Sequence, residues 1–162
     1  MASTTFSGPV TSTNGFIGNL PGNVTGNVTG SVTGTTPVTT LAAASTLTAA
    51  QSGTTFFLNA ATEFATTLPL PAAGVNYTFI VTAAPSGASY TVVTSASANI
   101  IKGQAYPASG AAGDTGTADD TISFVDGSSV AGDRVVLISD GTSWFAYAFC
   151  AVAAGVTFTQ AS

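Results

Sequence analysis

Three carboxylates, Asp114, Asp119 and Asp120, fall close together in the run GDTGTADDT, where oxygen ligands could gather around a calcium ion. The run departs from the EF-hand pattern, however, and its Gly and Thr content reads as a turn-rich surface loop. Glu63 is the single glutamate, and no spacing selects an aspartate to complete a glycosidase-like pair with it. The chain has no histidine, which removes His-based acid–base catalysis and His-ligated metals. Its glycine-rich stretches lack the lysine of a phosphate loop. Cys150 is the only cysteine, so no intrachain disulfide forms, and its apolar surroundings mark it as a small core residue. Asn23, Asn27 and Asn76 sit in Asn-x-Thr triplets, which read as chance matches, since no signal peptide is visible and the polar face of a strand already explains the Asn and Thr. Two aromatics remain as possible glycan contacts, Trp144 just past a hairpin tip and Tyr147 beyond it. No residue stands out as catalytic, and no cofactor or metal is expected.

The elements that must position these residues are strands. Helix-forming Glu, Lys, Gln and Arg are nearly absent, while β-branched residues abound. Alternating apolar runs, punctuated by Gly, Pro, Asn and Asp, predict strands at Thr54–Leu58, Glu63–Leu68, Tyr77–Thr82, Ser89–Thr94, Asn99–Lys102, Thr121–Val125, Arg134–Ser139, Ser143–Ala148 and Val156–Thr159. The clearest hairpin joins Val135–Ile138 to Trp144–Tyr147 through Asp140-Gly141, because Asp-Gly supplies the positive φ of a tight turn. The expected fold is all-β, a β-sandwich or jelly-roll-like domain over residues 41–162. Residues 1–40 are expected to form an extended N-terminal β arm, and the boundary segment VTTLAAASTLTAA (38–50) reads as a short helix or a linker.

The arm contains GNVTGNVTGSVTG, with Phe16, Leu20, Val24, Val28 and Val32 recurring every fourth residue. Collagen needs glycine at every third position, and a helix would carry a glycine in every turn at ~1 kcal/mol each. An extended strand fits better, since four residues are two pleats. Val24, Val28 and Val32 then share one face with Gly26 and Gly30, and the Asn and Thr side chains share the other. Such a strip, ~60 Å long at ~3.3 Å per residue, cannot bury its valines alone. Phe16, Leu20, Val24, Gly26, Val28, Gly30 and Val32 are therefore its expected partner-binding residues, with glycine allowing another backbone to come close.

Charge narrows the partners. Only 6% of residues are charged, and Lys102 and Arg134 are the sole cations against seven acidic groups. Two cations cannot make a phosphate-binding footprint, so neither nucleic acid nor an anionic membrane is an expected partner. So little charge favours a chain that buries surface in an oligomer or on a larger assembly.

The segment TFSGPVTSTNGFIGNLPGNVTGNVTGSVTG (Thr5–Gly34) resembles the N-terminal arms of tailed-bacteriophage virion proteins. GDRVVLISDGTSWFAYAF (Gly132–Phe149) resembles a hairpin common near the C-terminal end of phage capsid-decoration, head-fibre and tail-fibre domains. The resemblance implies a structural virion protein without catalytic residues. Size favours a capsid decoration (cement) protein, a homotrimer on the outer capsid surface whose arm binds major capsid proteins across their joints. The alternative is a fibre adhesin that binds a host surface glycan, and a glycan-degrading enzyme ranks last.

Overall fold

A computed structural model describes residues 36–160, which belong to one unit of the chain. The repeat and its partner-binding residues, Phe16 to Val32, lie outside the described residues. Twelve strands are described: β1 (Val38–Leu41), β2 (Ser45–Thr46), β3 (Thr54–Leu58), β4 (Phe64–Thr67), β5 (Asn76–Val81), β6 (Tyr90–Val93), β7 (Ile101–Pro107), β8 (Thr115–Asp119), β9 (Thr121–Phe124), β10 (Arg134–Ser139), β11 (Trp144–Cys150) and β12 (Val156–Thr159). They form a seven-stranded sheet, ordered β1-β3-β5-β10-β11-β7-β8, and a five-stranded sheet, ordered β12-β9-β6-β4-β2. One hydrophobic core draws on the inward side chains of both sheets, so the all-β sandwich expected from the sequence is the observed architecture.

The wiring inside the sandwich is distinctive. From β1 to β6 the chain changes sheet at every strand, and from β3 on each strand pairs in parallel with the one two places earlier: β3 with β1 and β5 with β3, β4 with β2 and β6 with β4. Parallel neighbours need a crossover, which here is a strand of the opposite sheet rather than a helix. The first half is thus a short stack of flattened coils, and the parallel pairs stand where a jelly roll would have antiparallel ones. From β9 onward, antiparallel pairs of β6 with β9, β5 with β10 and β10 with β11 close the stack. The segment expected to be a helix or a linker provides β1 and β2, the first strand of each sheet, followed by a single 3-10 turn at Ala49–Gln51. Pairing with β3 and β4 overrides the helix preference of its alanines.

Period-two alternation builds the core. Phe56, Tyr77, Phe79 and Trp144 all point inward and are fully buried. Phe56 and Phe79 stack at 5.5 Å, and Tyr77 lies 5.7 Å from Trp144. Across the core, Phe64 and Tyr90 meet at 4.8 Å. Each ring that size contributes roughly 1.5–3 kcal/mol through burial. The two buried phenols end on backbone: Tyr77 Oη donates to the Thr48 carbonyl at 2.8 Å, and Tyr90 Oη to that of Ala60 at 2.8 Å. Burial pushes the Tyr77 phenol above the usual tyrosine range, which keeps it a neutral donor.

Candidate contact surface

Each carboxylate of GDTGTADDT has a structural task. Asp114 accepts from the backbone N–H of Thr115 at 2.9 Å and from that of Phe158 at 2.6 Å, which ties the edge of one sheet to β12 of the other. Asp119 accepts from the Thr117 N–H at 3.0 Å. Asp120 is buried and takes the Thr121 hydroxyl at 2.7 Å. Among the described residues, no three His, Cys, Asp or Glu side chains gather where they could hold a metal. Glu63 stands exposed beside a shallow depression formed with Thr62, Ser86, Gly87 and Ala88. Burial pushes the Cys150 thiol above its ordinary range, so this cysteine behaves as core.

At the β10–β11 hairpin, Gly141 has a φ of 100°, the positive value expected of Asp-Gly. Asp140 Oδ1 accepts from the N–H of Thr142 at 2.8 Å, its hydroxyl at 2.8 Å and the N–H of Ser143 at 2.7 Å. These bonds, led by the one from Ser143, hold the Asp140 carboxyl below the usual carboxylate range. The turn fixes the phase of β11, and the phase decides the fate of the two aromatic candidates. Trp144, Ala146, Ala148 and Cys150 face the core, whereas Phe145, Tyr147 and Phe149 face outward. Trp144 is therefore not a sugar platform: its ring is buried against Tyr77 and touches no solvent. Tyr147, 49% exposed, stands at the centre of the outer face.

Strand register places that face on three neighbouring strands. Phe145 lies between Ile138 of β10 and Lys102 of β7, Tyr147 between Val136 and Gln104, and Phe149 between Arg134 and Tyr106. Both cations of the chain stand here, at opposite corners of the three rows, and each rests on a ring. Lys102 Nζ is 5.8 Å from the centroid of Phe145, and Arg134 Cζ is 4.9 Å from that of Phe149. Tyr106 stacks on Phe149 at 5.7 Å, and its hydroxyl donates to Gln104 Oε1 at 3.2 Å. The Gln104 amide keeps both of its own donors for other partners. A shallow groove of ≈ 220 Å³ runs over these strands between Lys102, Gln104 and Tyr106 on one side and Phe145 and Tyr147 on the other.

None of the seven acidic residues of the chain lies in these rows. Sequence reasoning placed Tyr147 in a strand and offered it as a glycan contact, but it did not bring Lys102, Gln104, Tyr106, Arg134, Phe145 and Phe149 together. The available signal was the alternation of large and small residues in Phe145-Ala146-Tyr147-Ala148-Phe149. Its phase becomes legible only once Trp144 is known to point inward.

The fold is an all-β sandwich with one aromatic, cation-bearing outer face. Set against protein-family models, curated proteins and solved structures, the chain matches none of them.

Proposed function

We propose that this protein is a structural component of a phage virion that decorates and stabilises the capsid from its outer surface. In this reading it is a homotrimer whose N-terminal segment, through Phe16, Leu20, Val24, Gly26, Val28, Gly30 and Val32, binds across joints between major capsid proteins. The sandwich stands above the shell with the outer face of its seven-stranded sheet turned away from it. The observation that carries the reading is the scarcity of charge, 6% of residues, which favours burying surface on a larger assembly, while the exposed aromatics and both cations on one sheet face leave a further patch for a second contact. A contiguous exposed patch of this kind marks a contact surface. The resemblance of Thr5–Gly34 and Gly132–Phe149 to phage virion proteins adds the setting.

The same face gives the alternative its support, because Tyr106 and Tyr147 would also serve a fibre adhesin. Copy number separates the two. Quantitative mass spectrometry of purified particles is expected to find this chain at a ratio to the major capsid protein set by the shell lattice. A handful of copies per particle would sink the decoration reading in favour of a fibre.

A further inference from the structure

We infer that the outer face of β10, β11 and β7 is a binding site for a carboxylate-bearing oligosaccharide. The inference rests on the reading of this face as a contact surface turned away from the shell, and it names what the face takes.

Size decides first. Tyr147, Ile138, Tyr106, Phe149 and Val136 are each between 37% and 49% exposed. At the ~200 Å² that a large side chain offers, they leave about 400 Å² uncovered. A stable protein interface takes ~800 Å² from each partner. The apolar part of the patch is about half of that, and its groove is shallow rather than a deep pocket. Both features suit a few sugar rings lying along the sheet.

Charge decides second. Two copies packed through this face would gather four cations in one interface, with no carboxylate in the rows to answer them. The fitting ligand is anionic. Lys102 also feels the carboxylate of Asp140, which is already held by the hairpin N–H groups.

Geometry gives the ligand its length. Lys102 and Arg134 are two strand spacings and four residues of rise apart, or ~16 Å along the diagonal. Tyr147 stands midway. A saccharide chain on this diagonal would lay the C–H face of a central ring on Tyr147, take donors from the Gln104 amide, and set carboxylates against Lys102 and Arg134. The aromatic partners of both cations hold them above the sheet rather than free in solvent, which lowers the ordering cost of binding.

The test is calorimetric titration of the full chain with tetragalacturonate, maltotetraose and a short polyglutamate. Tetragalacturonate is expected to bind, with affinity falling as salt rises. Tyr147→Ala is expected to weaken binding at least tenfold. The Lys102→Gln, Arg134→Gln double variant is expected to do the same and to flatten the salt dependence. All three side chains are exposed, so the core is untouched. Equal binding of maltotetraose would overturn the role of charge, and equal binding of polyglutamate would overturn the saccharide. Failure of all three probes at millimolar concentration, or binding indifferent to the variants, would overturn the site. A self-association abolished by Tyr147→Ala would assign the face to a second copy instead. The copy number of Tyr147→Ala on particles is expected to be unchanged, so the saccharide can fail while the decoration reading stands.

Discussion

Replacing Gly103 with valine is expected to cost the domain ~3 kcal/mol or more and to lower its Tm by on the order of 10 °C. Gly103 lies on β7, directly beside Ala146 of β11, at a place where β7 shifts register against β8 between Ile101 and Gly103. A Cβ there would sit 2.8 Å from the Cβ of Ala146 and closer still to its carbonyl oxygen. Neither atom can swing aside. Ala146 is paired with Leu137 on its other flank, so β11 is held from both sides. Relief must come from β7 moving away, and β7 carries Lys102, Gln104 and Tyr106. The variant should therefore also lose the contact surface, whereas Gly103→Ala should move in the same direction by less. Thermal unfolding followed by circular dichroism measures the effect. A valine variant that melts within two or three degrees of the parent, on the order of 1 kcal/mol or less, would contradict the close approach of β7 and β11.

Removing the Asp133 carboxylate is expected to have the second-largest effect, about 3–5 kcal/mol for Asp133→Ala, a fall of ~1–2 M in the urea midpoint. Asp133 is buried just ahead of β10. Its Oδ2 accepts from the Ser129 hydroxyl at 3.0 Å and from the Val130 N–H at 3.1 Å, and its Oδ1 from the Ala151 N–H at 2.9 Å. One side chain thus joins the loop before β10 to the chain leaving β11. Alanine would leave three donors without their acceptor, and a buried donor left unmet costs more than its bond contributes. Asn keeps one carbonyl oxygen and should lose about half as much. Equal midpoints for the alanine variant and the parent would show that water replaces the carboxylate at no cost.

Both positions show what the sequence could and could not tell. The strands at Thr54–Leu58, Arg134–Ser139 and Val156–Thr159 were readable to the residue, because each is a short run rich in β-branched and aromatic residues that begins just after Gly or Asp. β1 and β2 were not, being four and two residues long and defined by partners elsewhere in the chain. β8 hides in Thr115-Gly116-Thr117-Ala118-Asp119, which has no apolar alternation and pairs only along one edge of the sheet. The parallel stacking of every second strand leaves no local mark, since paired segments are separated by a strand of the other sheet. Tyr147 was legible as a strand residue. Its company was not, because both phases of β11 carry bulk: Trp144 on one, Phe145 and Phe149 on the other. The burial of Trp144 settles the phase, and it does not follow from β11 alone.

The central claim is that the sandwich rides on the outside of a shell with its aromatic face turned to solvent, and the four tyrosines of the chain test it directly. Tyr77 and Tyr90 are buried, whereas Tyr106 and Tyr147 stand on the outer face. Tyrosine iodination mapped by mass spectrometry, on intact particles and on the isolated protein, should modify Tyr106 and Tyr147 to the same extent in both and spare Tyr77 and Tyr90. Protection of Tyr106 and Tyr147 on the particle alone would place that face against the shell and contradict the account.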